Sequence, residues 1–384
     1  MSSSAFNLRP LALLFSVALS VWAVSSHAQD AVVKIGVAAP MSGGNAAYGK
    51  DIEAGVKMAV NEANAKHPVI GDTPVKFEVI SGDDQADPRI GVQVAQQLVD
   101  SGAAFVVGHF NSGTTLPASQ IYAKAGIPML TPSATNPAIT QAGLTTVYRV
   151  IATDAQNAGA AGVYAATVTK AKRIAVIDDR TAFGQGEADE FAKAVKANGG
   201  TIVDRQFTDD KAVDFSAQLT HIKSMNADLL FCGVLDAQAA MIVKRMKQLG
   251  MKTQFVGGGG VMDADFIKLA GPAAEGAMAW EYGHPLESTA AGKHFAADFK
   301  KTYGTDMLAY APFAYDAAGL TIKAMEQANS VKPDAFNGAI KSIDYSGATG
   351  KIVFEPNGDL KNASSTLYQV KNGAWQTVVT KGGS

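Results

Sequence analysis

From residue 32 onward the chain alternates short apolar runs with segments of helical periodicity, and no other feature narrows its fold so sharply. VVKIGVA (32–38) reads as a strand with Val33, Ile35 and Val37 on one face. Tyr48 to Asn64 reads as a helix, with Ile52, Val56, Ala59, Val60 and Ala63 at helical spacing. The beat continues through strand 75–80, helix 89–101, strand 104–107, helix 113–125 and strand 128–130. After the turn-rich TPSATNP (131–137) it resumes with helix 155–169, strand 173–178, helix 183–198, strands near 201–206 and 228–234, and helices 214–224 and 236–249. Such alternation requires right-handed crossovers and a parallel sheet covered by helices on both faces, so the expected class is α/β. Two sheets suit a chain of 384 residues better than one very large one. The end changes character: 352–379 carries two turn signals, Asn357-Gly358 and Asn372-Gly373, between β-rich runs, and predicts a small antiparallel addition.

Charge and cysteine content remove several classes of function. With 33 basic and 35 acidic residues the net charge is −2, which gives no footprint for nucleic acid and no polybasic patch for an anionic membrane. Cys232 is the single cysteine, so an intramolecular disulfide and a cysteine metal cluster are both excluded. Residues 1–28 read as a secretory signal: Arg9 precedes an apolar stretch from Leu11 to Val24, and Ser26 and Ala28 are the small residues of a cleavage site. Cleavage would leave Gln29 first. No cysteine follows the apolar run, so the expectation is a periplasmic protein without a lipid anchor.

No motif assembles catalytic chemistry. GNAAYGKD (Gly44–Asp51) imitates a phosphate loop but puts Asp51 where Ser or Thr is needed, with Glu53 adding to the repulsion of a triphosphate. GGGG (Gly257–Gly260) lacks the spacing of a dinucleotide fingerprint and reads as a flexible loop or as a close approach of backbone to a ligand. Asp83, Asp84 and Asp87 suggest a metal, but Asp87 before Pro88 reads as a helix cap. Without a nucleophile, base and oxyanion hole, neither an enzyme nor a cofactor or metal is expected. VVGHFNSGTTLPASQIY (106–122) does carry a binding argument. It runs from a strand through Asn111, Ser112, Gly113, Thr114 and Thr115 into a helix, where hydroxyls and first-turn amides suit a small carboxylate as well as ordinary capping. Thr131, Ser133 and Thr135 end the next strand at the same sheet edge, the ligand edge of open α/β sheets, and the convergence favours binding.

The stretches VKIGVAAPMSGGNAAYGKD, GDDQADP, VVGHFNSGTTLPASQIY, MLTPSATNP, RIAVIDDRTAFGQG and LGMKTQFVGGGGV together resemble the leucine/isoleucine/valine-binding proteins, the periplasmic receptors of branched-chain amino acid ABC transporters. The resemblance implies two Rossmann-like lobes joined by three crossing strands and closing by a hinge. It divides the chain into 29–152 with 283–360 and 153–282 with 361–384. Its partners would be a small amino acid, or a related carboxylate, and a permease of the inner membrane, with the receptor a monomer. Position by position it implies that Ser112 and Thr135 hold the ligand carboxylate. The Ser133 carbonyl and Thr135 hydroxyl would meet the ammonium. Tyr48, Phe110, Phe183 and Leu235 would wall the side chain, and Tyr315 would stand at the cleft rim. Two departures stand out. Ala86 and Asn111 occupy the positions of a disulfide common in the family, and Gly259 occupies the position of the acid that pairs with the ammonium. Asp236 or Glu281 could replace that acid; the alternative is a carboxylate lacking an ammonium, such as an aromatic or branched keto acid.

Overall fold

The computed structural model describes residues 1–2 and 30–383, so the leader expected over 1–28 lies outside the described residues save for its first two. β1 (Ala31–Ala39) is an apolar run buried continuously from Ile35, as a central parallel strand between two helical layers must be. It is followed by α1 (Ala46–Asn64), β2 (Val69–Ile70), β3 (Thr73–Asp83), α2 (Pro88–Asp100), β4 (Ala103–Gly108), α3 (Ser112–Lys124), β5 (Met129–Thr131), α4 (Ala138–Gln141) and β6 (Val147–Arg149). The strands form one sheet in the order β2-β3-β1-β4-β5-β6, parallel except for short β2. Asp87 caps α2, accepting from the amides of Arg89 and Ile90 at 2.8 and 3.3 Å, which is the role expected of it.

The chain then crosses to a second sheet. α5 (Asp154–Tyr164) opens on a capping box of Thr153 and Gln156 and widens into a π turn over Ala165–Thr169. β7 (Ile174–Asp178), α6 (Ala182–Ala197), β8 (Ile202–Phe207), α7 (Ser216–Ser224), β9 (Leu229–Gly233), α8 (Asp236–Gln248), β10 (Gln254–Gly257), α9 (Ala264–Ala270) and β11 (Met278–Tyr282) complete the second run of alternation. A second crossing returns the chain to the first sheet through α10 (Ala290–Tyr303), α11 (Ala311–Ala328), α12 (Pro333–Lys341) and the pair β12 (Tyr345–Gly347) and β13 (Gly350–Ile352). Leu320, Phe336 and Ile340 of this return share one core with Ile35, Ile52 and Phe105. A third crossing delivers β14 (Ser365–Lys371) and β15 (Ala374–Lys381), antiparallel additions that give the second sheet the order β15-β14-β11-β10-β9-β7-β8. Its faces are covered separately, one by Phe191 of α6 against Phe231 and Trp280, the other by Ile242 and Phe266 of α8 and α9 against Leu230.

The crossings lie side by side. The amide of Gly283 donates to the carbonyl of Ser364 at 2.9 Å, and a cavity of about 420 Å³ lies among Val150, Ala152, Gly283, His284 and Ser364. Of the two C-terminal turn signals, Asn372-Gly373 makes the expected hairpin between β14 and β15, with positive φ at both residues. Asn357-Gly358 does not join two strands. It closes a loop bridged once at Phe354–Leu360, and the Gly358 carbonyl instead accepts from the Arg149 amide at 2.9 Å. Cys232 is buried in β9, where burial pushes its thiol well above the usual range.

Candidate ligand site between the lobes

β4 ends at Gly108, where any Cβ would lie 2.1 Å from the Ala38 carbonyl oxygen, and the chain turns through His109–Asn111 into α3. Buried His109 anchors the turn: Nδ1 lies 2.7 Å from Asp84 and Nε2 3.1 Å from the Tyr122 hydroxyl. Most hydroxyls of the two clusters are occupied in holding this loop. Thr114 and Thr115 donate to the Asn111 carbonyl at 2.8 Å, Thr131 to that of His109 at 3.1 Å, and Ser133 to that of Phe110 at 3.1 Å. Two hydroxyls are left over. Ser112 Oγ accepts from the amides of Thr135 and Asn136, both at 3.2 Å, so its own proton is left to donate outward. Thr135 Oγ1 is fully buried and has no hydrogen-bond partner among the described residues. The loop that presents Thr135 is held from behind by buried Arg149, which donates to the carbonyls of Ala134 and Asn136 at 2.8 and 3.0 Å and pairs with Asp359 at 2.9 Å.

The second lobe meets this edge directly. Asn136 Nδ2 donates to the Ala182 carbonyl at the start of α6 (2.6 Å), and Leu235, before α8, packs against the first lobe's core. An aromatic trio lies beside the seam. Tyr48 stacks on Phe110 with centroids 5.2 Å apart, and Tyr310 meets both rings edge-on at 5.6 and 5.2 Å. The Tyr48 hydroxyl reaches across to the second lobe, 2.8 Å from Asp236 Oδ1 and 3.1 Å from Asp263 Oδ2. Burial, then the two carboxylates, raise the Tyr48 phenol, which therefore donates. Burial raises Asp236, and burial together with Asp236 pushes Asp263 up to about 6.

Behind the seam, α5, α6 and the glycine loop enclose a set of buried acids. Glu187 Oε1 accepts from the Gly259 amide at 2.9 Å and the Tyr282 hydroxyl at 3.3 Å, while Oε2 has no partner among the described residues. Both Asp154 carboxylate oxygens and Asn157 Oδ1 are likewise unpartnered; the Thr135 hydroxyl lies close enough to lower Asp154 but outside hydrogen-bond geometry. Burial raises Glu187 and Asp154, and the charge of Asp154 pushes Glu187 further up. Glu281 is pushed up to about 7 by burial, and both its oxygens accept backbone amides, from Gly260 at 2.9 Å and Tyr282 at 3.1 Å.

The structure thus has two lobes with parallel-sheet cores, joined by three crossings and meeting at a polar seam. Residues 32–374 match the family model described as periplasmic binding protein. The chain belongs to the periplasmic binding protein family. It is 32% identical over 375 residues to Leu/Ile/Val-binding protein homolog 1 of Brucella suis biovar 1 (strain 1330), covering 97% of this chain and 98% of that protein. The leucine binding protein LivK from Thermotoga maritima MSB8 superposes with a TM-score of 0.83 at 28% identity, covering 91% of this chain and 98% of that one. A solute binding protein of an ABC transporter from Rhodopseudomonas palustris BisB5, solved with 3,4-dihydroxybenzoic acid, superposes at 0.81 with 25% identity, covering 91% and 97%. The resemblance to the leucine/isoleucine/valine-binding proteins therefore holds, and so does the two-lobed architecture.

In this periplasmic binding protein, Tyr48, Phe110, Ser112, Ser133, Thr135, Leu235 and Asp236 all converge on the seam. Phe183 is half-buried, next to Ala182 at the start of α6, and does not join the aromatic trio. Tyr315 is placed apart from this group. Its hydroxyl donates to Glu62 at 2.6 Å and its ring tilts on Phe295 at 5.0 Å, because the face of α11 that carries it packs on α1 and α10 away from Tyr48. The tyrosines at the seam are Tyr310 and Tyr282, which sequence reasoning missed. Gly259 is also accounted for: a Cβ there would lie 2.1 Å from the Tyr282 ring, so no acid fits. Glu187 was missed as well. Its signal was an acid on the buried stripe of α6 formed by Gly184, Glu187, Phe191 and Val195.

Proposed function

We propose that this protein is the receptor of an ABC importer, exported behind the leader at 1–28 and working free in the periplasm as a monomer. It closes its lobes, 29–152 with 283–360 and 153–282 with 361–384, on a small apolar α-amino acid and delivers it to a membrane permease. It binds and releases its ligand unchanged and is not an enzyme. The observation that carries this reading is the pair Ser112 and Thr135, a hydroxyl proton left to donate and a buried hydroxyl without a partner, at the N-terminus of α3. Helix N-termini present unpaired amides and favour negative charge, so a carboxylate there gains donors from both sources. Tyr48, Phe110 and Tyr310 supply the apolar wall for a side chain, with few polar groups to fix its orientation. Closure then brings Tyr48 onto Asp236 and Asn136 onto Ala182, contacts that join the lobes and can hold a ligand enclosed.

The test is calorimetry on ligand-stripped protein carrying Ser112→Ala or Thr135→Ala. Each removes one donor to a charged acceptor, about 1.5–3 kcal/mol, so affinity should fall roughly 10- to 100-fold. Unchanged affinity in both variants would place the anion site elsewhere. A second reading, a carboxylate lacking an ammonium, has two supports: the absent acid at Gly259 and the 3,4-dihydroxybenzoic acid bound by the Rhodopseudomonas palustris neighbour.

A further inference from the structure

Resting on the receptor reading above, we propose that Glu187, backed by Asp154, is the cation pole of the cleft, so that the ligand must carry an ammonium beside its carboxylate. The unpartnered atoms carry the argument. Glu187 Oε2, both oxygens of Asp154, Asn157 Oδ1 and Thr135 Oγ1 are buried without a partner among the described residues, and four of these five are oxygens of carboxylate or amide groups. All four residues are 0% exposed. Acceptors buried together without donors are costly, and a group bringing several N–H donors and a positive charge removes that cost. None of the described residues supplies one. Arg149, whose charge reaches Asp154, directs its N–H groups to Asp359, Thr140 and the carbonyls of Ala134 and Asn136.

The surrounding backbone is shaped around these carboxylates. A Cβ on Gly258 would lie 1.6 Å from Glu187 Oε2, and one on Gly186 would lie 2.3 Å from Asp154 Oδ2. The Gly259 amide, the Tyr282 hydroxyl and, at 3.5 Å, Asn157 Nδ2 all approach Oε1, which orients the carboxylate, and Oε2 is the oxygen without a partner among the described residues. The alternative acids are engaged otherwise, Asp236 by Tyr48 and Glu281 by two backbone amides. Thr135 belongs to both poles, beside Ser112 on one side and Asp154 on the other. The two charges of the ligand must therefore be close together, as they are on an α-amino acid.

The experiment uses the mature protein, stripped of ligand by unfolding and refolding, and calorimetric titration with three matched pairs. These are leucine, phenylalanine and alanine, each against its 2-oxo acid, which keeps the carboxylate and side chain but lacks the ammonium. The proposal expects at least one amino acid to bind, its oxo partner to bind at least about tenfold more weakly, and Glu187→Gln to abolish that preference. The wild-type comparison needs no variant, so a poorly folding Glu187→Gln does not void the test. An oxo acid that binds as tightly as its amino acid, or a folded Glu187→Gln that keeps the preference, overturns the cation pole and leaves the importer reading standing. Binding of none of the six refutes the receptor reading and this inference together.

Discussion

Tyr48→Phe isolates the contact that joins the lobes at the aromatic end of the cleft. The ring can still stack on Phe110 at 5.2 Å and meet Tyr310 edge-on, so packing in the first lobe is preserved. What is removed is the hydroxyl that donates to Asp236 at 2.8 Å and lies 3.1 Å from Asp263. A hydrogen bond to a charged acceptor contributes about 1.5–3 kcal/mol. Asp236 is only partly buried, so water can take the place of the hydroxyl and the lower part of that range applies. The bond joins two lobes, so its loss falls on the equilibrium between open and closed forms. About 1.5 kcal/mol is roughly a tenfold shift toward the open form, and affinity for any ligand that needs closure falls by the same factor. Calorimetry would read the affinity, and small-angle scattering would read the larger radius of gyration of the liganded variant. Wild-type affinity together with a wild-type scattering curve would refute the reasoning.

Two further predictions follow from burial. Gly259→Ala puts a methyl 2.1 Å from the Tyr282 ring and should lower stability by about 1–3 kcal/mol in urea unfolding, whereas Gly44→Ala, with nothing within 4 Å, should not; equal effects would contradict the packing. Glu281 is pushed up to about 7 and Asp263 and Asp316 up to about 6, so the folded chain holds more protons than the unfolded one between about pH 4 and 7. The stability they contribute is present at low pH and lost as pH rises through 6–7. The ligand-free protein should therefore melt higher at pH 5 than at pH 8, by roughly 2–4 °C per kcal/mol, and a melting point that rises with pH would be the opposite sign.

The alternation of strands and helices was legible because a buried parallel strand and an amphipathic helix each leave a local pattern, as in β1 and α1. The return of α10–α12 to the first core was not, since nothing local tells a helix which of two similar sheets it covers. At the site, Ser112 and Thr135 were legible as hydroxyls at a strand's carboxyl end. Which hydroxyls stay available depends on loop hydrogen bonds, such as Thr131 to His109, that only the fold reveals. Tyr310 is the N-cap of α11 and Tyr315 lies within its first turns, so the two point differently, Tyr310 onto Tyr48 and Phe110 and Tyr315 onto Glu62. Gly259 read as a missing acid. In three dimensions its place is filled from β11 by Tyr282, and the nearest unpartnered carboxylate comes from α6.

A crystal structure of the protein with its tightest-binding amino acid tests the central claim most directly. The account predicts the ligand carboxylate within hydrogen-bond distance of the Ser112 and Thr135 hydroxyls at the start of α3, and its side chain against Tyr48, Phe110 and Tyr310. A ligand bound elsewhere, for instance in the cavity between the crossings at Gly283 and Ser364, with both hydroxyls left untouched, would contradict it.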